Sequence, residues 1–155
     1  MDTIAKIWYD LEPAPENATA YRVTVKGLKG GHSGDDINKN LANANKLLTR
    51  ILWEATGRYD LALYDFQGGN LRNAIAREAT AVAYLPNDCS DDFVSYCKEM
   101  EANFKKEYQV ADPGITVVVE KAERALVGID GRVMNTPVGE FKVCVEQEVI
   151  NFIIP

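Results

Sequence analysis

Two apolar stripes at helical spacing, set between four segments that alternate apolar and polar residues, leave this chain few ways to fold. The first stripe is Ile37, Leu41, Ala44, Leu48 and Ile51, at i, i+4, i+7, i+11 and i+14, ending near Trp53. Ser33 and Asp36 stand at the S-x-x-D spacing of a helix start, and Gly57 is placed to stop the helix. The second stripe is Phe93, Cys97, Met100, Phe104 and Tyr108, opened by Ser90-Asp91-Asp92. Tyr21 to Lys26 has the two-residue period of a half-buried strand. Leu61 to Phe66, Glu78 to Leu85 and Ile115 to Glu120 are three further strand segments, with Thr80, Val82 and Tyr84 facing one way. Gly68-Gly69, Pro86-Asn87-Asp88 and Asp112-Pro113-Gly114 supply the turns.

The order is β-α-β-β-α-β, which predicts an α+β, ferredoxin-like fold. Right-handed crossovers put both helices on one face of a four-stranded antiparallel sheet. The other face is then left for solvent, a partner or another domain. Residues 1–18, with Pro13 and Pro15, read as a lead-in strand and linker, and residues 19–122 as the domain proper. Residues 123–155 form a C-terminal extension rich in strand formers from Phe141 to Ile154, expected to pair along a sheet edge or to build a second small sheet.

A length of 155 residues fits one domain, or one domain plus a fragment, at ~100–200 residues per domain. A net charge of −6 argues against nucleic acid and anionic membranes, both of which demand a basic face. No apolar run approaches a membrane span, and Met1-Asp2-Thr3-Ile4-Ala5 has no basic signal-peptide start. Cys89, Cys97 and Cys144 make no C-x-x-C pair and read as packing residues, and the odd count fits a reducing, cytoplasmic setting.

Chemistry concentrates in two runs. Val25 to Gly34 (VKGLKGGHSG) carries the only histidine of the chain among four glycines, where a strand hands over to a helix. It lacks the G-K-[ST] of a phosphate loop and the G-x-G-x-x-G of a dinucleotide site. One histidine cannot make a His-rich zinc site, no H-x-D, H-E-x-x-H or C-x-x-C pattern is present, and no G-x-S-x-G elbow supports a triad through Ser33, Ser90 or Ser95. Spacing leaves His32 open between a structural turn residue and a donor to a developing oxyanion. The second run, Asp65 to Glu78, holds Gly68, Gly69, Asn70, Asn73, Arg72 and Arg77. It is either a hairpin loop with turn residues, or a place where Asn73 and one of Arg72 or Arg77 bind a carbonyl or carboxylate.

Together the runs VKGLKGGHSGDDI (Val25 to Ile37), NANKLL (Asn43 to Leu48) and GGNLRNAIARE (Gly68 to Glu78) resemble the lid of the aminoacyl-histidine dipeptidases. These Xaa-His dipeptidases, or peptidase D, are dinuclear zinc exopeptidases, and the resemblance covers roughly Met1 to Glu120. It implies a βαββαβ lid inserted into a catalytic domain, often serving for dimerisation. His32 then matches the lid histidine that polarises the scissile carbonyl or stabilises the tetrahedral intermediate. Asn73 matches the asparagine that contacts substrate, Gly30, Gly31 and Gly34 hold the backbone that aims His32, and Arg77 orders the loop or binds substrate. Two zinc ions and a general-base glutamate are implied in a catalytic domain that this sequence does not contain, so the chain holds no metal of its own and is expected to be inactive alone. Relatives carry proline where this chain has Ala76, which predicts a less rigid loop after Ile75.

Three functions follow as expectations. The chain is the lid of a zinc-dependent Xaa-His dipeptidase, with the catalytic domain, a second copy and a small peptide substrate as partners. Alternatively it is a ferredoxin-like binding or regulatory module, or a purely structural dimerisation unit.

Overall fold

The computed structural model describes residues 3–5, 15–122 and 141–143. In chain order the elements are β1 (Thr3–Ala5), β2 (Ala18–Lys26), β3 (Gly31–His32), α1 (Ala44–Tyr59), β4 (Ala62–Gly68), β5 (Ala74–Ile75), β6 (Ala79–Pro86), α2 (Ser90–Glu107), β7 (Thr116–Lys121) and β8 (Phe141–Val143). The main sheet runs β4-β6-β2-β7, every neighbouring pair antiparallel, which is the predicted ferredoxin-like order. In the tail, β8 pairs with β1, Ile4 opposite Lys142, as a second small sheet. The rest of the extension, Cys144 included, lies outside the described residues.

Alternation decides which sheet face meets the helices. Val23 and Val25 on β2 and Ala81, Ala83 and Leu85 on β6 are fully buried against Leu48 and Ile51 of α1 and Phe93 and Phe104 of α2. The alanines on β6 leave room for the larger helix side chains, as interiors packed near crystal density require. Thr80, Val82 and Tyr84 do share a face, the one turned away from the helices. There Thr24 and Thr80 meet through their hydroxyls, 3.1 Å apart, and Tyr64 sets its ring edge-on to Tyr84. On β4 the register shifts between Leu63 and Asp65, so Tyr64 is an extra residue and Phe66 returns to the core side.

The first helix departs from its expected limits. Only a single 3-10 turn forms at Ile37–Lys39; Asn40 then takes a left-handed conformation (φ 53°), and α1 starts at Ala44. Ile37, the supposed head of the stripe, is 64% exposed. Asn43 is the working cap, its side-chain oxygen accepting from the N–H groups of Asn45 (3.0 Å) and Lys46 (3.4 Å). Asn43→Ala is therefore expected to cost about 1 kcal/mol in a denaturant titration. Gly57 does not stop the helix, which runs on to Tyr59 and ends at left-handed Asp60. The glycine costs ~1 kcal/mol, less than the ~1.5–3 kcal/mol typical of burying a large side chain such as Tyr59.

Cys97 is the packing residue the sequence suggested, buried on α2, where the apolar surroundings push its thiol up to about 12. The folded chain thus keeps a proton that the unfolded thiol, at its ordinary value near 9.0, gives up. Below pH 9 this contribution is fully present, and it is lost as pH rises from there towards 12. Cys97→Ala should flatten the alkaline fall in stability by up to ~1.4 kcal/mol per pH unit over that window, read from urea midpoints.

Candidate functional site

The two runs singled out in the sequence meet in space. Leaving β2, the chain turns at Gly27 and reaches β3, which pairs antiparallel with β5: Gly31 opposite Ile75, His32 opposite Ala74. Past the pair, the Ser33 N–H donates to the Asn73 carbonyl at 3.0 Å. Backbone bonds thus bring the run that carries His32 against the run that carries Asn73, although they lie far apart in the chain. Asn45, in the first turn of α1, donates its side-chain amide to the Gly68 carbonyl (3.4 Å), tying the second run to the helix.

A tight turn closes around His32, and Asp36 makes it. The Asp36 N–H donates to the His32 carbonyl at 3.0 Å, and its Oδ2 accepts from the His32 N–H at 2.7 Å. Its other oxygen takes the Lys39 ammonium at 2.5 Å. The Lys39 bond first, then the His32 N–H, hold the Asp36 carboxyl below its ordinary value. Ser33 and Asp36 therefore do not cap α1 as their spacing suggested; Asp36 instead fixes the backbone that carries the imidazole.

The orientation of the ring follows from its partners. His32 Nδ1 accepts from the N–H groups of Gly34 (3.1 Å) and Asp35 (3.2 Å). In the neutral ring this makes Nδ1 the acceptor and leaves the proton on Nε2, which can only donate. The side chain is 47% exposed, open to an incoming group. A Ser–His–Asp arrangement needs the reverse, with Nδ1–H given to a carboxylate and Nε2 accepting. Of the serines considered for it, Ser95 donates its hydroxyl to the Asp91 carbonyl at 2.9 Å on α2.

The glycines contribute unequally. Gly30 has φ +64°, and a side chain there would strike the Arg77 stem and come within 3.0 Å of the Ile75 carbonyl. At Gly31 a Cβ would lie 2.7 Å from Asp36 Oδ2, so the turn closes only over glycine. Gly34 faces the imidazole, where a Cβ would stand 3.4 Å from Nδ1, a tight but lesser conflict. Asn73, Arg72 and Arg77 are exposed, and the Arg77 stem covers Gly30. Ala76 is buried, and its carbonyl accepts the Ala44 N–H at 2.9 Å, so the segment after Ile75 is anchored to α1 without proline.

Two supports escaped sequence reasoning. Asn43 sat inside an unbroken apolar period, and Asp112 looked like an ordinary turn residue yet is fully buried and hydrogen-bonded to two distant amides. Among the described residues no group of three or more His, Cys, Asp or Glu could hold a metal ion, so they do not fit a zinc site. No described helix is long and apolar enough to cross a membrane.

Comparison with known proteins agrees with this fold. The chain is 38% identical over 120 residues to the cytosol non-specific dipeptidase of Escherichia coli (strain K12), covering 77% of this chain and 25% of that protein. Its structure superposes on the aminoacylhistidine dipeptidase of Vibrio alginolyticus with a TM-score of 0.71 and 35% identity, over 80% of this chain and 24% of that one. A hydantoinase/carbamoylase family amidase from Burkholderia ambifaria, at 14% identity and a TM-score of 0.51 over 69% of this chain and 27% of its own, shares the fold alone. The chain thus spans about a quarter of the length of these relatives. The model of the peptidase dimerisation domain matches residues 15–112, which take in β2 through α2 and both runs of the site. The chain belongs to the peptidase dimerisation domain family.

Proposed function

We propose that this chain is the lid and dimerisation domain of a Xaa-His-type dipeptidase, and that its own contribution to hydrolysis is one aimed hydrogen-bond donor. The observation that carries the reading is the pair of amides on His32 Nδ1, which leaves an Nε2–H pointing out of a rigid turn. Such a donor suits the negative oxygen that develops when a peptide carbonyl is attacked, and it costs no reorganisation at that moment. Asn73, exposed on the run that the β3–β5 pair ties to the His32 turn, offers a side-chain amide to the substrate backbone. Arg77 acts mainly as a brace, its stem over Gly30. Zinc, where the complete enzyme uses it, is held outside the described residues, and none of these roles runs through it. The likeness to two dipeptidases at 38% and 35% identity supports the substrate class.

The test is hydrolysis of Xaa-His dipeptides by the complete enzyme with His32 present and with His32→Ala. A large fall in turnover is expected, and equal turnover would remove the catalytic reading. That second outcome would favour the alternative, a dimerisation module without a part in the chemistry.

A further inference from the structure

We infer that Asp112 is a positioning residue for His32, holding both stems of the loop that carries the imidazole. Asp112 follows α2 and is 0% exposed. Its Oδ1 accepts from the Lys29 N–H at 2.6 Å and its Oδ2 from the Ala42 N–H at 2.8 Å. Lys29 stands just before Gly30 and Ala42 just after Leu41, so one carboxylate closes the base of the whole His32 loop. The residue is fixed in turn: its N–H donates to the Tyr108 carbonyl at 2.8 Å, and its carbonyl accepts from the Ile115 N–H.

The chemistry favours this pairing over a neutral one. A buried carboxylate is costly unless hydrogen bonds replace its water, and backbone N–H groups bonded to a charged acceptor form the shorter, stronger class of such bonds. Removing the carboxylate would also strand two amides, at Lys29 and at the buried Ala42. Asp36 secures the tip of the loop from four residues away, and Asp112 secures its base from the other half of the chain. Asp112 is buried and so acts on substrate only through where it puts His32.

The experiment is amide hydrogen exchange by NMR on the 155-residue chain, comparing wild type, Asp112→Asn, Asp112→Ala and a control, Glu101→Gln. Glu101 also pins a remote backbone amide, Val117 N–H at 2.7 Å, but does not touch the loop. Asp112→Asn should speed exchange at Lys29, His32 and Ala42 about 10- to 100-fold beyond any change in β2 and β6, as expected for losing one hydrogen bond to a charged group. Asp112→Ala should exceed it, because asparagine keeps one acceptor oxygen, and Glu101→Gln should leave the three amides unmoved. His32 is the only histidine, so its ring nitrogens give a second readout: a single Nε2–H form in wild type, averaged signals in Asp112→Asn. Uniform acceleration across loop and sheet would overturn the proposal in favour of a purely structural role, and so would unmoved loop rates. Should the variants fail to fold, wild type decides, since rapid exchange at Lys29 or Ala42 contradicts the clamp. The benefit to hydrolysis rests on the role proposed for His32. Exchange rates involve no hydrolysis, so either idea can fail without the other.

Discussion

Replacing His32 with alanine in the complete enzyme is expected to lower kcat about 100- to 1,000-fold, the range found when one oxyanion donor is removed from a hydrolase. With Nδ1 occupied by the Gly34 and Asp35 amides, Nε2 offers a proton in a fixed direction, and alanine leaves nothing in its place. An interaction made mainly in the transition state moves kcat with little change in KM, so the split between them is the diagnostic. A rise in KM at constant kcat would instead assign His32 to ground-state binding. His32→Gln should recover part of the loss, since its amide can donate, but without the two bonds that aim the imidazole. Steady-state kinetics on a Xaa-His dipeptide, with dimerisation checked by light scattering, distinguishes these outcomes.

Phe93→Ala should be the most destabilising single change in the helical layer. Phe93 is fully buried on α2 and is ringed by three tyrosines, with centroids 5.8 Å to Tyr59, 6.0 Å to Tyr21 and 6.4 Å to Tyr96. Those partners come from β2, α1 and α2 itself, so one ring joins the sheet to both helices. Truncating a buried phenylalanine costs about 3–5 kcal/mol through lost transfer energy and the cavity left behind. Aromatic pairs of this geometry add ~0.5–1.5 kcal/mol each beyond area burial, which places Phe93 at the upper end. A domain with a stability of ~5–15 kcal/mol would lose a large part of it. Urea unfolding should show the midpoint falling with the slope unchanged; a loss under about 1 kcal/mol would mean that the three rings close over the gap.

The sequence read well where a periodic pattern met no competing local demand. Phe93, Cys97, Met100 and Phe104 are all buried as their spacing required, and the four strands pair in the order that right-handed crossovers dictate. It misled at Ile37, where the same period continued through residues the backbone uses otherwise. Asp36 is engaged by His32, Asn40 turns left-handed, and Asn43 provides a better cap than Ser33, whose N–H goes to Asn73. Side-chain spacing counts apolar residues and does not register such backbone costs. In the site, the composition of the two runs was legible, but their meeting was not, because β3 and β5 are two residues each, below any pattern signal. Asp112 was the hardest to see: its partners are backbone amides, which every residue but proline carries, 83 and 70 positions away.

The two-residue ribbon of β3 and β5 has a consequence for how such a domain can diversify. It joins the His32 run to the Asn73 run through main-chain bonds, so their spacing does not depend on the identity of neighbouring side chains. Leu71, 62% exposed, sits in the turn whose Leu71 carbonyl takes the Ala74 N–H, again a main-chain bond. Side chains at exposed positions such as Leu71 can therefore be exchanged while the main-chain spacing of the two runs is inherited unchanged.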